Sequence, residues 1–376
     1  MIRSLVVSTL IAALGAPAFS GSENLFYPLR TDWQSSDKKV NISAYLFNDL
    51  NENGSYDIGD RAIANIAVGL SRNGTPIAAS RTNLNGFANF RASTTQEDSP
   101  LSTAGNYEFG ALIPRGWRVT TANQTQTREL IAIAGSPAGL GLTEMLTPIG
   151  ISRNKFIRGT YLGEQDGHIE LHQNGKAVAM ADVTENDQFI WSVKRGEYTL
   201  MTNGVPRPVI VGDYPVDIGL AAVPVANDIA GRTIDFETGA TTGLNKAQNG
   251  YAGLNWFNLN IMRSDHTPGS IGYSNGTTSG NHILYTSSGH PGRIYADTPF
   301  SLLSVNLSAA WPDSEGEEAV FSYYRDDVLV LTDTIGLSAY SPISYQPMIE
   351  GITRVEISTK HYWQLVIDDL VVLTAP

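Results

Sequence analysis

The stretch Asp49-Leu50-Asn51-Glu52-Asn53-Gly54-Ser55-Tyr56-Asp57-Ile58-Gly59-Asp60 sets oxygen side chains at positions 1, 3, 5, 9 and 12 of a twelve-residue loop, with glycine at position 6. A hard divalent cation gathers roughly six to eight oxygens in a small shell, and this is the ligand spacing of a calcium loop. Asp49, Asn51 and Asn53 supply donors on alternate residues, while Gly54 allows the sharp turn. Ser55 offers its backbone carbonyl, Asp57 a direct or water-mediated ligand, and Asp60 the closing carboxylate. Position 12 is Asp rather than the longer Glu, which bears on bidentate closure, affinity and choice of ion. The competing reading is a polar Asn/Gly-rich hairpin loop with no ion.

The flanks decide which calcium loop this is. Helical hands place helices on both sides. Here Val40-Asn-Ile42-Ser-Ala44-Tyr-Leu46-Phe47 precedes the loop with apolar residues on alternate positions, and the β-branched run Ile63-Ala-Asn-Ile66-Ala-Val68-Gly-Leu70 follows it. Both predict strands.

With Phe47-Asn-Asp49 through Asp60, then Asn73-Gly74, then Asn83-Leu-Asn85-Gly86-Phe87-Ala-Asn-Phe90, residues 38–145 resemble the SdrD B-like domains of bacterial surface proteins. Those domains are kin of the Cna-B and prealbumin-like β-sandwiches. The resemblance implies a structural calcium site and a stalk or adhesive module rather than an enzyme.

Residues 1–20 open with one basic residue, an apolar run and the small-residue region around Ala16, Ala18 and Ser20, which predicts a secretory signal peptide cleaved after Ala18 or Ser20. The run is short for a membrane span, and no later segment is apolar enough to be one. Residues 21–37 form an N-terminal segment. The chain has no cysteine, so an exported protein of this sequence is held by its cores and by metal. A net charge of −12 argues against nucleic-acid binding, which rests on phosphate neutralisation by Lys and Arg. The expected location is extracellular or at the cell surface. Oligomeric state is not legible.

A second small sandwich is expected over 149–222, as a degenerate copy of the one over 38–148. Leu70-Ser-Arg-Asn73-Gly74 aligns with Leu171-His-Gln-Asn174-Gly175, and Gly105-Asn-Tyr107 with Gly196-Glu-Tyr198. The acidic loop is replaced there by Gly163-Glu-Gln-Asp166-Gly167, so calcium belongs to the first copy only. Residues 223–231 read as a linker. The remainder, 232–376, opens with Thr233-Ile-Asp235-Phe-Glu237, carries Gly250-Tyr251-Ala-Gly-Leu-Asn-Trp256, and closes with Asp368-Asp369-Leu-Val-Val. On these short motifs it resembles the jelly-roll, carbohydrate-binding-like domains appended to secreted bacterial proteins. The predicted fold is therefore all-β: two small Greek-key or prealbumin-like sandwiches, then a larger jelly roll.

Asp235, Glu237, Asp368 and Asp369 form a second metal candidate, because first and last strands of a jelly roll pair and can gather carboxylates around an ion. Alternation sets Asp368 and Asp369 on opposite faces, leaving Glu237 and Asp369 as the favoured pair. The alternative is solvated strand-end acids. Trp311, Tyr323, Tyr324 and Trp363 are candidate sugar platforms, since a flat ring beside a polar partner suits the C–H face of a pyranose; aromatics of sandwiches otherwise fill the core, as expected for Trp256. His168 and His172 share a strand face without a third ligand in view. His266, His282 and His290 have no informative spacing, and no G-x-S-x-G elbow is present. Glu317-Glu318 and Asp326-Asp327 read as turn acids rather than a glycosidase pair. The functional expectation is a secreted, non-catalytic protein that binds carbohydrate or another surface ligand. The alternative is a glycan-active hydrolase or lyase with its site in the last portion.

Overall fold

Alternating apolar residues become strands almost everywhere. A computed structural model describes residues 33–35, 39–92, 101–134, 140–142, 146–163, 166–220, 231–239, 243–266 and 271–374, and these are nearly all β. The expected signal peptide lies outside the described residues, as does the linker apart from Gly231. The chain divides into two compact units, residues 1–152 and 153–376. Among the described residues no helix is long and apolar enough to cross a membrane.

In the first unit, strand Lys39–Asn48 is central. It pairs antiparallel with Phe87–Ala92 and Arg61–Ala62, and parallel with Ile149–Arg153 through Ile149↔Leu46. A second sheet runs in the order Leu140–Leu142, Thr125–Ala132, Gly105–Ala111, Ala67–Arg72, Thr75–Arg81. Ile42, Leu46, Val68, Leu70, Phe90 and Phe109 are all but inaccessible to solvent. Phe90 and Phe109, on strands of the two sheets, meet edge to face at 5.3 Å. The all-β sandwich expected here is present.

The second unit begins by repeating this plan. Hairpin Gly167–Gln173/Lys176–Val183 turns at Asn174 and Gly175, both with positive φ, as Ala67–Arg72/Thr75–Arg81 does at Asn73 and Gly74. Two-residue turns of this hand match the twist of paired strands. The pairing slips at the same place in both hairpins, between Leu70 and Ser71 and between Leu171 and His172. Tyr107 and Tyr198 are both buried, and each donates its hydroxyl to the carbonyl four residues earlier, Thr103 and Lys194. The repeat seen in the sequence is thus also a repeat of bulge and hydrogen bond.

Strands on either side of the expected linker share one sheet. Phe156–Thr160 pairs parallel with Val216–Leu220, which pairs parallel with Ile343–Tyr345 through Val216↔Ser344. Residue 232 onwards forms the larger sandwich. Strand Gly292–Ala309 is its spine: residues 292–295 pair with Ile349–Thr359, and residues 300–309 pair with Leu365–Thr374. The first and last strands of this portion pair, Ile234 opposite Leu370. Its core holds Phe236, Trp256, Leu307, Phe321 and Ile367 among others, with Trp256 5% exposed as expected of a core ring.

Buried polar groups tie the shared sheet together. Arg158 donates to Asp217 at 2.6 Å and to the Gly336 carbonyl. Arg207 donates to the carbonyls of Ile218, Leu220 and Gln346. The Tyr345 hydroxyl donates to Asp333 at 2.8 Å and lies 2.8 Å from that of Tyr323. Burial, with the charge of Asp217 adding to it, lifts Asp333 to about 6 against the opposing Tyr345 hydrogen bond.

Candidate functional sites

The Asp49–Asp60 loop leaves the central strand at Asn48 and returns to it as Arg61–Ala62, so both ends are fixed by one ladder. Asp49 is fully buried. Its two carboxylate oxygens accept the N–H groups of Asn53 (3.2 Å) and Gly54 (2.8 Å), which curls the loop back on its own start. Gly54 sits at φ 77, the left-handed turn expected of position 6. Asp60 accepts the N–H groups of Leu50 and Asp57 and so closes the loop. The side-chain amides of Asn51 and Asn53 both point at Asp57, at 3.1 and 2.7 Å. The ring of Tyr56 packs edge-on against Tyr45 and Phe47, with centroids 5.2 and 5.1 Å away, pinning the loop to its parent strand.

This arrangement suits a hard cation chemically. Burial raises the Asp60 pKa, and the neighbouring charges of Asp49 and Asp57 raise it further against two backbone donors. Rotating the two amides would turn carbonyl oxygens toward the point they now face with N–H. Among the described residues no three His, Cys, Asp or Glu side chains already stand as a metal cluster. The loop's candidate set mixes three aspartates with two amides and the Ser55 carbonyl.

The second metal candidate resolves differently. Glu237 Oε1 accepts the N–H groups of Asn281 and His282, and Oε2 lies 3.0 Å from His282 Nδ1. Burial alone would raise Glu237, but these donors outweigh it and hold its pKa below the usual value. Asp369 accepts the hydroxyls of Thr278 and Ser279, both at 2.6 Å. Asp368, fully buried, accepts the N–H groups of Thr278, Ser279 and Asp369. Each carboxylate thus accepts donors from the segment 278–282, including Glu237 and Asp369, the pair expected to share an ion. Asp235 caps the N–H of Glu237.

Of the expected aromatic platforms, burial overturns Tyr323. Tyr323 is fully buried and its hydroxyl is bound to Tyr345, so it cannot meet a ligand. Strand alternation told that Tyr323 and Tyr324 face opposite ways but not which faced inward. Tyr324 lies beneath Arg354, whose guanidinium carbon is 4.1 Å from the ring centre. Trp311 packs edge-on against Tyr273 and donates to Gln364. Trp363 remains 37% exposed.

The other candidates also have structural partners. Glu317 is buried and 3.2 Å from His361, and Glu318 pairs with Lys360. Asp326 and Asp327, both with positive φ, turn the hairpin before Val328, and Asp327 also pairs with Arg354. His282 serves Glu237, and His290 packs on Tyr362. Sequence reasoning missed Glu170, which stands between His168 Nε2 (3.1 Å) and His172 Nε2 (2.6 Å), while Asp182 takes His168 Nδ1 at 2.7 Å. Hydrogen bonds to Asp182 and Glu170 raise the His168 pKa. The signal was the alternate spacing of 168, 170 and 172.

Sequence reasoning also missed a cavity of about 510 Å³ in the second unit. Its polar lining includes Asp213, Thr278, Ser304, Asn306, Ser344 and Asp369. No sequence period could have shown it, since Ser304 and Asp369 are brought together by irregular pairing.

No family model matches this chain, and no curated protein matches it in sequence. Solved structures do match. The Bacillus anthracis TIE protein is 12% identical over 48% of this chain and 33% of its own, with a TM-score of 0.22. BcpA, the major pilin subunit of Bacillus cereus, is 8% identical over 85% and 95%, with a TM-score of 0.24. The K1 cleaved adhesin domain of Lys-gingipain from Porphyromonas gingivalis is 12% identical over 39% and 98%, with a TM-score of 0.21. This chain thus spans about a third of the TIE protein chain.

Proposed function

We propose that this is a secreted, non-catalytic β-sandwich protein of the cell exterior, with a first unit braced by calcium and a second that binds carbohydrate. The observation that carries the reading is the Asp49–Asp60 loop, wound around Asp49 and turned so that Asn51 and Asn53 meet at Asp57. Asp49, Asn51, Asn53, Asp57, Asp60 and the Ser55 carbonyl would hold the ion. Calcium would supply fixed positive charge among these donors and nothing chemical. Its binding free energy would add to the native state alone. Carbohydrate binding is supported by a cavity that mixes polar and apolar walls.

The test is thermal unfolding of the full chain with calcium, with magnesium and with chelator. At a hundredfold excess of calcium over Kd, the first unit gains about 3 kcal/mol, a shift of about 10 °C in Tm. Asp57 is exposed and not needed for the curl around Asp49. Asp57→Asn should therefore leave the chelated Tm almost unchanged and remove most of the calcium shift. Equal Tm with calcium and with chelator in the parent protein would refute the site. Release of reducing sugar from any glycan would overturn the non-catalytic reading.

A further inference from the structure

The cavity of the second unit is built on two opposed bulges. Along the spine, Leu302 pairs with Val372 but Ser304 pairs with Val371, so Leu303 is extra on one strand. Next, Ser304 pairs with Val371 but Asn306 pairs with Asp368, which leaves Asp369 and Leu370 opposite Val305 alone. Two compensating slips within a few residues restore register on both sides and distort only this patch. Bulges re-aim side chains, and they concentrate beside functional sites. Here Asp369 takes φ 46, a left-handed conformation that is strained for a non-glycine residue. That conformation lets Asp368 stay buried in the core while Asp369 lines the cavity.

The strain is held by specific bonds. Thr278 and Ser279 donate hydroxyls to the two Asp369 oxygens, and Asn306 Nδ2 lies 3.2 Å from the Thr278 hydroxyl and 3.4 Å from Asp369. The result is a fixed row of acceptor, hydroxyl and amide on the cavity wall. Ser344 adds a hydroxyl that accepts from Gln346, whose amide also bonds both backbone groups of Ile210.

The lining selects a ligand class. Its residues include no Lys, Arg or His; Asp213 is paired with Arg195 at 2.6 Å, so the repulsion that an anionic ligand would meet comes from the carboxylate of Asp369. A wholly apolar ligand would bury the Asn306 and Asp369 groups without replacing their water. Pro208, Ile210, Leu303, Met348 and Val371 supply apolar walls beside the polar row. A neutral saccharide satisfies all three demands: hydroxyls that both donate and accept, no charge, and a C–H face for the apolar side. The volume lies in the range of small-molecule sites, roughly 300–1,000 Å³.

We propose that this cavity binds a neutral saccharide unit, with Asp369 and Asn306 as its polar contacts. The proposal rests on the carbohydrate-binding reading above and places the site away from the exposed aromatic rings. The experiment is a glycan array on the full chain, followed by calorimetry with the best-bound neutral glycan. Three variants are compared: Asn306→Ala, Ser344→Trp, which fills the cavity, and Trp363→Ala on the exposed surface. Circular dichroism and Tm of each confirm folding. If Asn306→Ala or Ser344→Trp unfolds, saturation-transfer NMR on the parent protein reads whether ligand protons contact Leu303 and Val371 methyls.

The expected result is a tenfold or greater loss of affinity in Asn306→Ala, loss of measurable binding in Ser344→Trp, and less than a twofold change in Trp363→Ala. Binding that survives the first two and is lost in Trp363→Ala overturns the cavity while leaving carbohydrate binding standing. Retention of acidic glycans alone overturns the neutral class. An array with no bound glycan overturns the carbohydrate reading together with the cavity.

Discussion

Gly54 and Gly175 have the same backbone angle and different surroundings, and the difference is measurable. Both sit near φ 75. A Cβ on Gly54 would lie 3.0 Å from the Thr120 carbonyl oxygen, whereas one on Gly175 would meet nothing within 4 Å. Gly175→Ala should cost about 1 kcal/mol, from backbone strain alone. Gly54→Ala should cost about 2 kcal/mol or more and blunt the calcium response, because the Asp49 bond to residue 54 must shift. Urea unfolding of the two variants checks the order. Asp333 gives a second test. Its carboxyl holds its proton up to about 6 in the folded chain, against 3.8 unfolded, through burial and the nearby Asp217 charge. A raised pKa stabilises the fold below the unfolded value, and that contribution is lost as pH rises through about 6. About two pH units correspond to about 3 kcal/mol. Asp333→Asn should flatten the pH dependence of unfolding between 4 and 6; an unchanged slope would show that Asp333 is ionised throughout. At this scale the turn of the Asp49–Asp60 loop at Gly54 was legible because its residues are contiguous in sequence. Tyr323 was not, because a period of two names two faces without saying which is inside.

At the scale of elements, the strands and their turns were legible wherever alternation met an Asn-Gly pair. Asn73-Gly74 and Asn174-Gly175 impose the positive φ values that a two-residue hairpin requires. The slip after Leu70 and after Leu171 was not legible, since a bulge changes pairing without changing composition. The same limitation hid the cavity. Regular alternation across Asp368-Asp369 predicted one residue inward and one outward, and that much holds: Asp368 is buried and Asp369 partly exposed. Where the outward residue points was decided by Leu303, an extra residue on the neighbouring strand. The bonds that Glu237 and Asp369 accept were hidden for a related reason. The segment 278–282 supplies N–H and hydroxyl donors from the middle of the sequence, far from either acid.

At the scale of the whole molecule, the all-β class and the repeated Asn-Gly hairpin were legible from periodicity and from paired motifs. The joining of residues 156–220 to the larger sandwich was not. Parallel pairing of Val216 with Ser344 leaves no local signal, and the hydrogen bonds of Arg207 and Arg158 link residues more than a hundred positions apart. That seam predicts cooperative behaviour. Amide hydrogens of Val216–Leu220 and Ile343–Tyr345 should exchange at one common rate under native conditions. Ile218→Ala, at a fully buried position, should cost about 2–5 kcal/mol and raise exchange in both strands together. Exchange accelerated only in 153–220 would show two independent folding units.

The same parallel strand sets a clock. Val216 cannot take its second neighbour until Ser344 has left the ribosome and found it. Closing so long a loop is entropically costly, and topologies dominated by distant pairings fold in milliseconds to seconds rather than microseconds. During that wait one edge of Val216–Leu220 presents unpaired backbone to any passing chain. Yield on refolding should therefore fall steeply with protein concentration.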